Sequence, residues 1–322
     1  MRMRMKTSMT KCLSIWNTFS PEPPQSVFKR YDTTHPLDFY LGLDGEGRHL
    51  LLFVSSEEPP HQLDMRAIRI RKSSRDDGRW ALLWTLEDSG LLEMFSLLSQ
   101  DLIEHSRVIK GDVSPLTFVL CRLSSWRHLL ERASDDLLSL NGIRGLCGEL
   151  IFLEKLIDRF GGEEAVGAWV GPSGADQDFQ LDASAWEVKT IRPDADKVII
   201  ASEAQLDDSN RKMDFIIVEL ADVSSSSEDR LTLNSLVARV RNKLSSHYQA
   251  LLRFDNQVLV AGYIAREGYD SFSFKLRSLD RYSVGEGFPR IVRSIVPHGV
   301  ENVCYEIELG ALGNYLVEQT SY

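Results

Sequence analysis

The sequence predicts a mixed α/β protein with four regions: a β-rich N-terminal domain (1–110), a helical connector (111–140), an α/β core (141–265) and a C-terminal β-rich extension (266–322). Three observations predict it. Residues 30–88 hold short apolar runs broken by turn residues and read as an antiparallel sheet, residues 90–160 switch to a helical period, and residues 165–265 mix the two.

Taken in order, Leu13, Ile15, Trp16 and Phe19 suggest a short helix ended by Pro21-Glu-Pro-Pro24. Phe39–Leu43 and His49–Val54 read as strands around the Asp44-Gly-Glu-Gly47 turn. Ala67–Arg71 alternates apolar and basic side chains, as a half-exposed strand does, and Arg79–Leu86 follows the Asp76-Asp77-Gly78 turn as a buried strand. Helices are expected over 91–105, 115–138 and 141–160. The second carries Trp126, Leu129, Leu130 and Leu137; the third has Asn141 as N-cap and Gly161-Gly162 as its stop. Asp178–Leu181 and Trp186–Thr190 form a hairpin, Val198–Ala201 and Asp214–Leu220 are strands, and Thr232–Phe254 is one helix. Gln257–Gly262 reads as a strand, and the remainder as short strands and turns.

The 322 residues carry a net charge of −10, and the charge is segregated. Residues 1–30 hold six Lys/Arg against one acid, 31–229 hold 20 against 37, 230–293 hold 11 against five, and 294–322 hold none against four. A basic face for a polyanion fits the flanking stretches, and so does an inert, charge-segregated surface. The four cysteines are far apart and point to a reduced, cytoplasmic protein. No run approaches the roughly 20 apolar residues of a membrane span, and no signal peptide follows the basic start. The histidines show no H-x-x-x-H or H-E-x-x-H pairing, and neither G-x-S-x-G nor G-x-x-x-x-G-K-[ST] occurs. Any ATP-driven step therefore needs a partner.

The informative residues are Gly145-Leu-Cys-Gly-Glu149, Gln177-Asp178-Phe-Gln180 and Trp186-Glu-Val-Lys-Thr190. Glu187 and Lys189 sit two apart on a strand and so share a face. Hairpin pairing puts Asp178 and Gln180 on that face, with Phe179, Leu181, Trp186 and Val188 on the other. Two carboxylates with water make an oxygen-rich site for Mg²⁺. A lysine beside them can orient a water whose pKa the metal lowers. Glu149 lies on the apolar side of its helix, where a carboxylate needs a partner, and Gly145 and Gly148 let that helix approach the sheet. A Glu-x-Lys pair alone is more often a charged solvent face or a structural salt bridge, and those readings stay open. Arg239, Arg241 and Lys243 on one helix, with Lys275, Arg277, Arg281, Arg290 and Arg293, are candidates for phosphate contacts, against the plainer reading as solvated surface. Trp80, Trp84 and Trp126 read as core residues.

These residues resemble the PD-(D/E)XK nuclease superfamily, whose core is a helix bearing Glu and a hairpin bearing Asp and (D/E)-x-Lys, and more narrowly the bacterial PD-(D/E)XK motif proteins. Arg122-Leu-Ser-Ser-Trp126, Trp169-Val-Gly-Pro172 and Ser202-Glu-Ala-Gln-Leu206 extend the resemblance over most of the chain. The resemblance implies a restriction-endonuclease-like core in which Asp178 and Glu187 hold Mg²⁺ (or Mn²⁺), Lys189 activates the attacking water, Glu149 completes the metal's surroundings, and Gln205 is a polar residue near the site. It implies a DNA endonuclease of a bacterial restriction-like, anti-phage system, with other defence subunits (an ATPase or methyltransferase) as partners. Cutting both strands would favour a homodimer. The alternative is a non-catalytic nucleic-acid-binding or scaffolding subunit that keeps the fold. One departure is Gln177, which stands where the eponymous motif has proline.

Overall fold

The computed structural model describes residues 10–21, 23, 25–65, 67–107, 109, 114–132, 138–209, 211–301 and 303–322, with side chains from 128 to 132 left out. The side chains of Leu129 and Leu130, together with Leu137 and residues 1–9, therefore lie outside the described residues. The chain divides into two compact units, Met1–Asp136 and Leu137–Tyr322.

The first unit opens with α1 (Lys11–Trp16), followed by β1 (Val27–Arg30), β2 (Asp38–Leu43), β3 (His49–Ser55), β4 (Ile68–Ser74) and β5 (Trp80–Leu86). These strands form an antiparallel sheet in the order β1-β2-β3-β5-β4. Two helices complete the unit, α2 (Leu92–Ser106) and α3 (Pro115–Arg132). The Arg122–Trp126 motif has a structural explanation. Arg122 grips the Asp101 carboxylate of α2 with Nε at 2.7 Å and Nη2 at 2.6 Å, and Trp126 Nε1 donates to the same group at 2.7 Å. Trp84 and Trp126 are fully buried, so neither is a base-stacking platform.

The second unit starts with α4 (Leu140–Phe160), capped by Ser139, whose side chain accepts from Gly142 N. The expected cap, Asn141, lies inside the helix. Gly161, at φ 88°, ends it as expected, in a backbone region that an L side chain avoids. Then come α5 (Gly162–Ala168), β6 (Phe179–Leu181), β7 (Ser184–Ile191), β8 (Lys197–Ile200) and β9 (Lys212–Asp222). The remaining elements are α6 (Leu233–Lys243), α7 (Tyr248–Val260), β10 (Phe274–Val284), β11 (Tyr305–Glu308) and β12 (Leu316–Ser321).

Two expectations fail here. The single helix over 232–254 is broken between α6 and α7. The apolar run Gln257–Gly262 is the end of α7 and not a strand, because a short apolar run looks alike in a buried helix and a buried strand. The stretch after 265 also holds the 11-residue β10, longer than the short strands expected.

The sheet of this unit runs β12-β10-β9-β7-β6, with β7 and β9 parallel and the other pairs antiparallel. One face carries Phe179, Trp186, Val188, Ile216 and Val218, which pack with Leu150 and Leu153 of α4, Leu236 and Val240 of α6, and Phe254 of α7. The opposite face carries Ala185, Phe215 and Ile217, and packs against Val198 and Ile200 of β8 and Ile307 of β11. Both faces are covered, which explains the almost unbroken apolar run of β9. Among the described residues, no helix is long and apolar enough to cross a membrane.

Candidate active site

β6 and β7 pair with Phe179 opposite Trp186. Continuing that register sets Asp178 against Glu187, at the open end of the hairpin where β6 begins. The Asp178 side chain turns onto the neighbouring strand, and its Oδ2 accepts the Val188 N–H at 2.9 Å. This bond ties it to the backbone between Glu187 and Lys189. On its other side the Asp178 carbonyl accepts from Val170 N and Gly171 N, each at 2.9 Å. Gly171 is required there: a Cβ would stand 2.8 Å from Asp178 Oδ1.

Glu187 is 1 % exposed. Lys189 Nζ stands 2.8 Å from its Oε1, and its Oε2 has no hydrogen-bond partner among the described residues. Lys189 also donates to Gln205 Oε1 at 3.2 Å, and Ala201 N donates to the same oxygen at 2.8 Å. The ammonium is thus held between a carboxylate and an amide.

Glu149 comes from α4. The close approach expected of its glycines is carried by Gly148, where a Cβ would collide with the Thr190 hydroxyl of β7; Gly145 has open space instead. Glu149 Oε2 accepts from Trp169 Nε1 at 2.8 Å. Trp169 is fully buried, lies parallel to the Phe179 ring, and has its carbonyl held by Gln257 Nε2. Sequence reasoning quoted Trp169-Val-Gly-Pro172 without a role. Its signal was position, a Trp and a Gly just upstream of Asp178.

The three carboxylates are shifted in the same direction. Burial pushes Glu149 up to about 8, and the charge of Asp178 adds to it, against the Trp169 bond and Lys189. Burial raises Asp178 as well, although the Val188 N–H and Lys189 pull it back. Glu187 lies well above its ordinary value, from burial first and then from Asp178 and Glu149. One ammonium does not neutralise three such groups. Among the described residues, no group of three or more His, Cys, Asp or Glu side chains is placed to hold a metal ion. The set does suit a cation that shares two carboxylates with water and substrate oxygens, because Mg²⁺ usually keeps several waters. The unpartnered Oε2 of Glu187 and the mutual repulsion of the carboxylates both fit such an ion.

The basic candidates are placed differently. Arg239 pairs with Glu154, Arg241 with Asp255 at 2.6 Å, Lys243 with Asp158 at 2.6 Å and Lys275 with Asp229 at 3.0 Å. Arg281 pairs with Asp214 and Glu318, Arg290 with Asp208 and Arg293 with Glu203. Arg277 is exposed and forms no ion pair among the described residues.

No curated protein and no solved structure matches the chain. One family model does, over residues 12–310, and its description is "Putative PD-(D/E)XK family member, (DUF4420)". That span takes in both units and every site residue above, from Glu149 to Gln205, and the chain belongs to this PD-(D/E)XK family.

Proposed function

We propose that the protein is a divalent-metal-dependent endonuclease that hydrolyses DNA phosphodiester bonds. The observation that carries this reading is the juxtaposition of Asp178, Glu187, Lys189 and Glu149 at one end of a hairpin, with Glu187 buried and half unpartnered. Mg²⁺ or Mn²⁺ would be held by Asp178 and Glu187, with Glu149 beside them. Bound there, the ion would offset phosphate charge and lower the pKa of a bound water. Lys189 would hold that water through its ammonium, itself fixed by Glu187 and Gln205. Asp178 and Glu149, each part open to solvent, mark the mouth of the site.

The resemblance to PD-(D/E)XK nucleases implies a role in bacterial restriction-like defence against phage DNA. In that setting the protein would work in the cytoplasm with further subunits such as an ATPase or methyltransferase. Two engaged copies, a homodimer, would cut both strands. The rival reading, a binding subunit without activity, loses ground because Asp178, Glu187 and Lys189 are all present, with Glu187 and Lys189 paired and Asp178 bonded to the backbone N–H between them.

Plasmid cleavage by purified protein, with and without Mg²⁺ or Mn²⁺, tests the reading. Metal-dependent cutting that Lys189→Ala abolishes is the expected result. Cutting that persists in Asp178→Ala, Glu187→Ala and Lys189→Ala alike would sink it.

A further inference from the structure

Along the hairpin that carries Asp178 and Glu187 lies a cavity of about 260 Å³. Its walls include Asp176, Gln180, Ala185, Ala204, Asp207 and Arg211. Gln177, which also lines it, directly precedes Asp178, and Ala185 precedes Glu187 by two on the same strand face. Whatever enters the cavity therefore lies next to whatever occupies the carboxylates.

The polar groups are fixed, and their free valences are definite. Gln177 donates through Nε2 to the Ala204 carbonyl at 2.7 Å. Its Oε1 accepts Gln180 Nε2 at 2.8 Å, which leaves the Gln180 carbonyl as an acceptor. Arg211 is anchored through Nε to the Leu181 carbonyl at 3.0 Å, and forms no ion pair among the described residues, so its terminal nitrogens remain as donors. Asp207 Oδ1 takes the Ser209 N–H at 2.9 Å, which leaves Oδ2. Two alanines supply floor space without bulk.

This lining is unsuited to phosphate, since carboxylates outnumber its single guanidinium. It suits a neutral group with donors and acceptors on one edge. An arginine fork matches the O6 and N7 acceptors of guanine, and acceptor oxygens match amino hydrogens. In a nucleic acid, the group next to a phosphodiester is a nucleoside. Taking up its base requires a single-stranded or extruded nucleotide.

We propose that this cavity is a nucleobase pocket, taking one base, guanine the best match, of the strand whose phosphodiester lies at Asp178 and Glu187. The proposal rests on the nuclease reading, and it makes Gln180 and Arg211 specificity-determining residues.

The test is the affinity of the full-length protein for short thymidine strands carrying one guanine, adenine or cytosine. It is measured by fluorescence anisotropy in Ca²⁺ at several salt concentrations. The wild type should prefer the guanine strand about tenfold, the scale of one good base contact. Gln180→Ala and Arg211→Lys should bring all strands within about twofold with the salt slope unchanged, because a base contact releases no counterions. Arg211→Lys keeps the charge and loses the fork, and melting curves show that each variant is folded. Equal affinity of the wild type for all strands, or no binding, overturns the proposal. So does a preference that survives both variants, or a uniform loss with a shallower salt slope, which would make Arg211 a phosphate contact. Plasmid cleavage by the same preparation reports on the nuclease reading separately, because base preference without metal-dependent cutting would remove that reading and leave the pocket.

Discussion

Glu187 concentrates the tension in the site: it is 1 % exposed, half unpartnered, and faces two other carboxylates. Its neighbour Glu149 turns this into a pH dependence. The ordinary value of that carboxyl is 4.5 and its folded value about 8. Below 4.5 both folded and unfolded chains hold the proton. Between those values the unfolded chain has released it and the folded one has not, so the folded state binds more protons and stability falls as pH rises, levelling off above about 8. Melting temperatures in chelator should decline across that window, and Glu149→Gln should flatten the decline; an unchanged slope in that variant would contradict the assignment. Trp169→Phe keeps an apolar ring but deletes the N–H that supports Glu149. Outer partners of this kind are worth about 10–100-fold in metal affinity or activity, and a loss of that size in cleavage rate is expected. The grouping of Asp178, Glu187 and Lys189 was legible in the sequence because a strand's period of two fixes which side chains share a face. Trp169 was not, because its bond to Glu149 joins residues from separate elements.

At the scale of elements, the hairpin of β6 and β7 was readable from alternation alone, and its apolar face packs as expected with Phe179, Trp186 and Val188. Its other face does not look to solvent. Ala185 and Glu187 are covered there, a long-range fact that no local pattern records. The break between α6 and α7 and the helical end of α7 were missed for a similar reason, since tertiary packing overrides the local signal. The segment between β8 and β9 carries Gln205, and residues from beyond β10 hold it on both sides. Arg290 binds the Leu206 carbonyl and Asp208, while Arg293 and the Val303 N–H bind Glu203. Arg290→Ala should free this segment and with it the amide that steadies Lys189. The expected effect is a loss of roughly 1–3 kcal/mol in stability together with faster reductive methylation of Lys189, read by mass spectrometry. Slow methylation, as in the wild type, would show that Gln205 holds its place without the arginine.

At the scale of the molecule, the chain forms two compact units. In the first, Asp101 is buried, which raises it, but Arg122 and His105 outweigh burial and hold it well below the carboxylate range. Its stabilisation is complete above the unfolded value and is lost as pH falls through the folded one. The residues proposed to hold the metal all lie in the second unit, so calorimetric scans should show Mg²⁺ raising one transition and leaving the other in place. A shift of both would mean that the units unfold together. The central claim is that Asp178 and Glu187, with Glu149 beside them, hold a metal ion and do not merely form a buried salt bridge with Lys189. Titration of Mg²⁺ into the metal-free protein by calorimetry tests it most directly, with Asp178→Ala and Glu187→Gln alongside. Binding by the wild type that is lost in both variants is the predicted result. No heat from the wild type, or equal heat from all three, would contradict it.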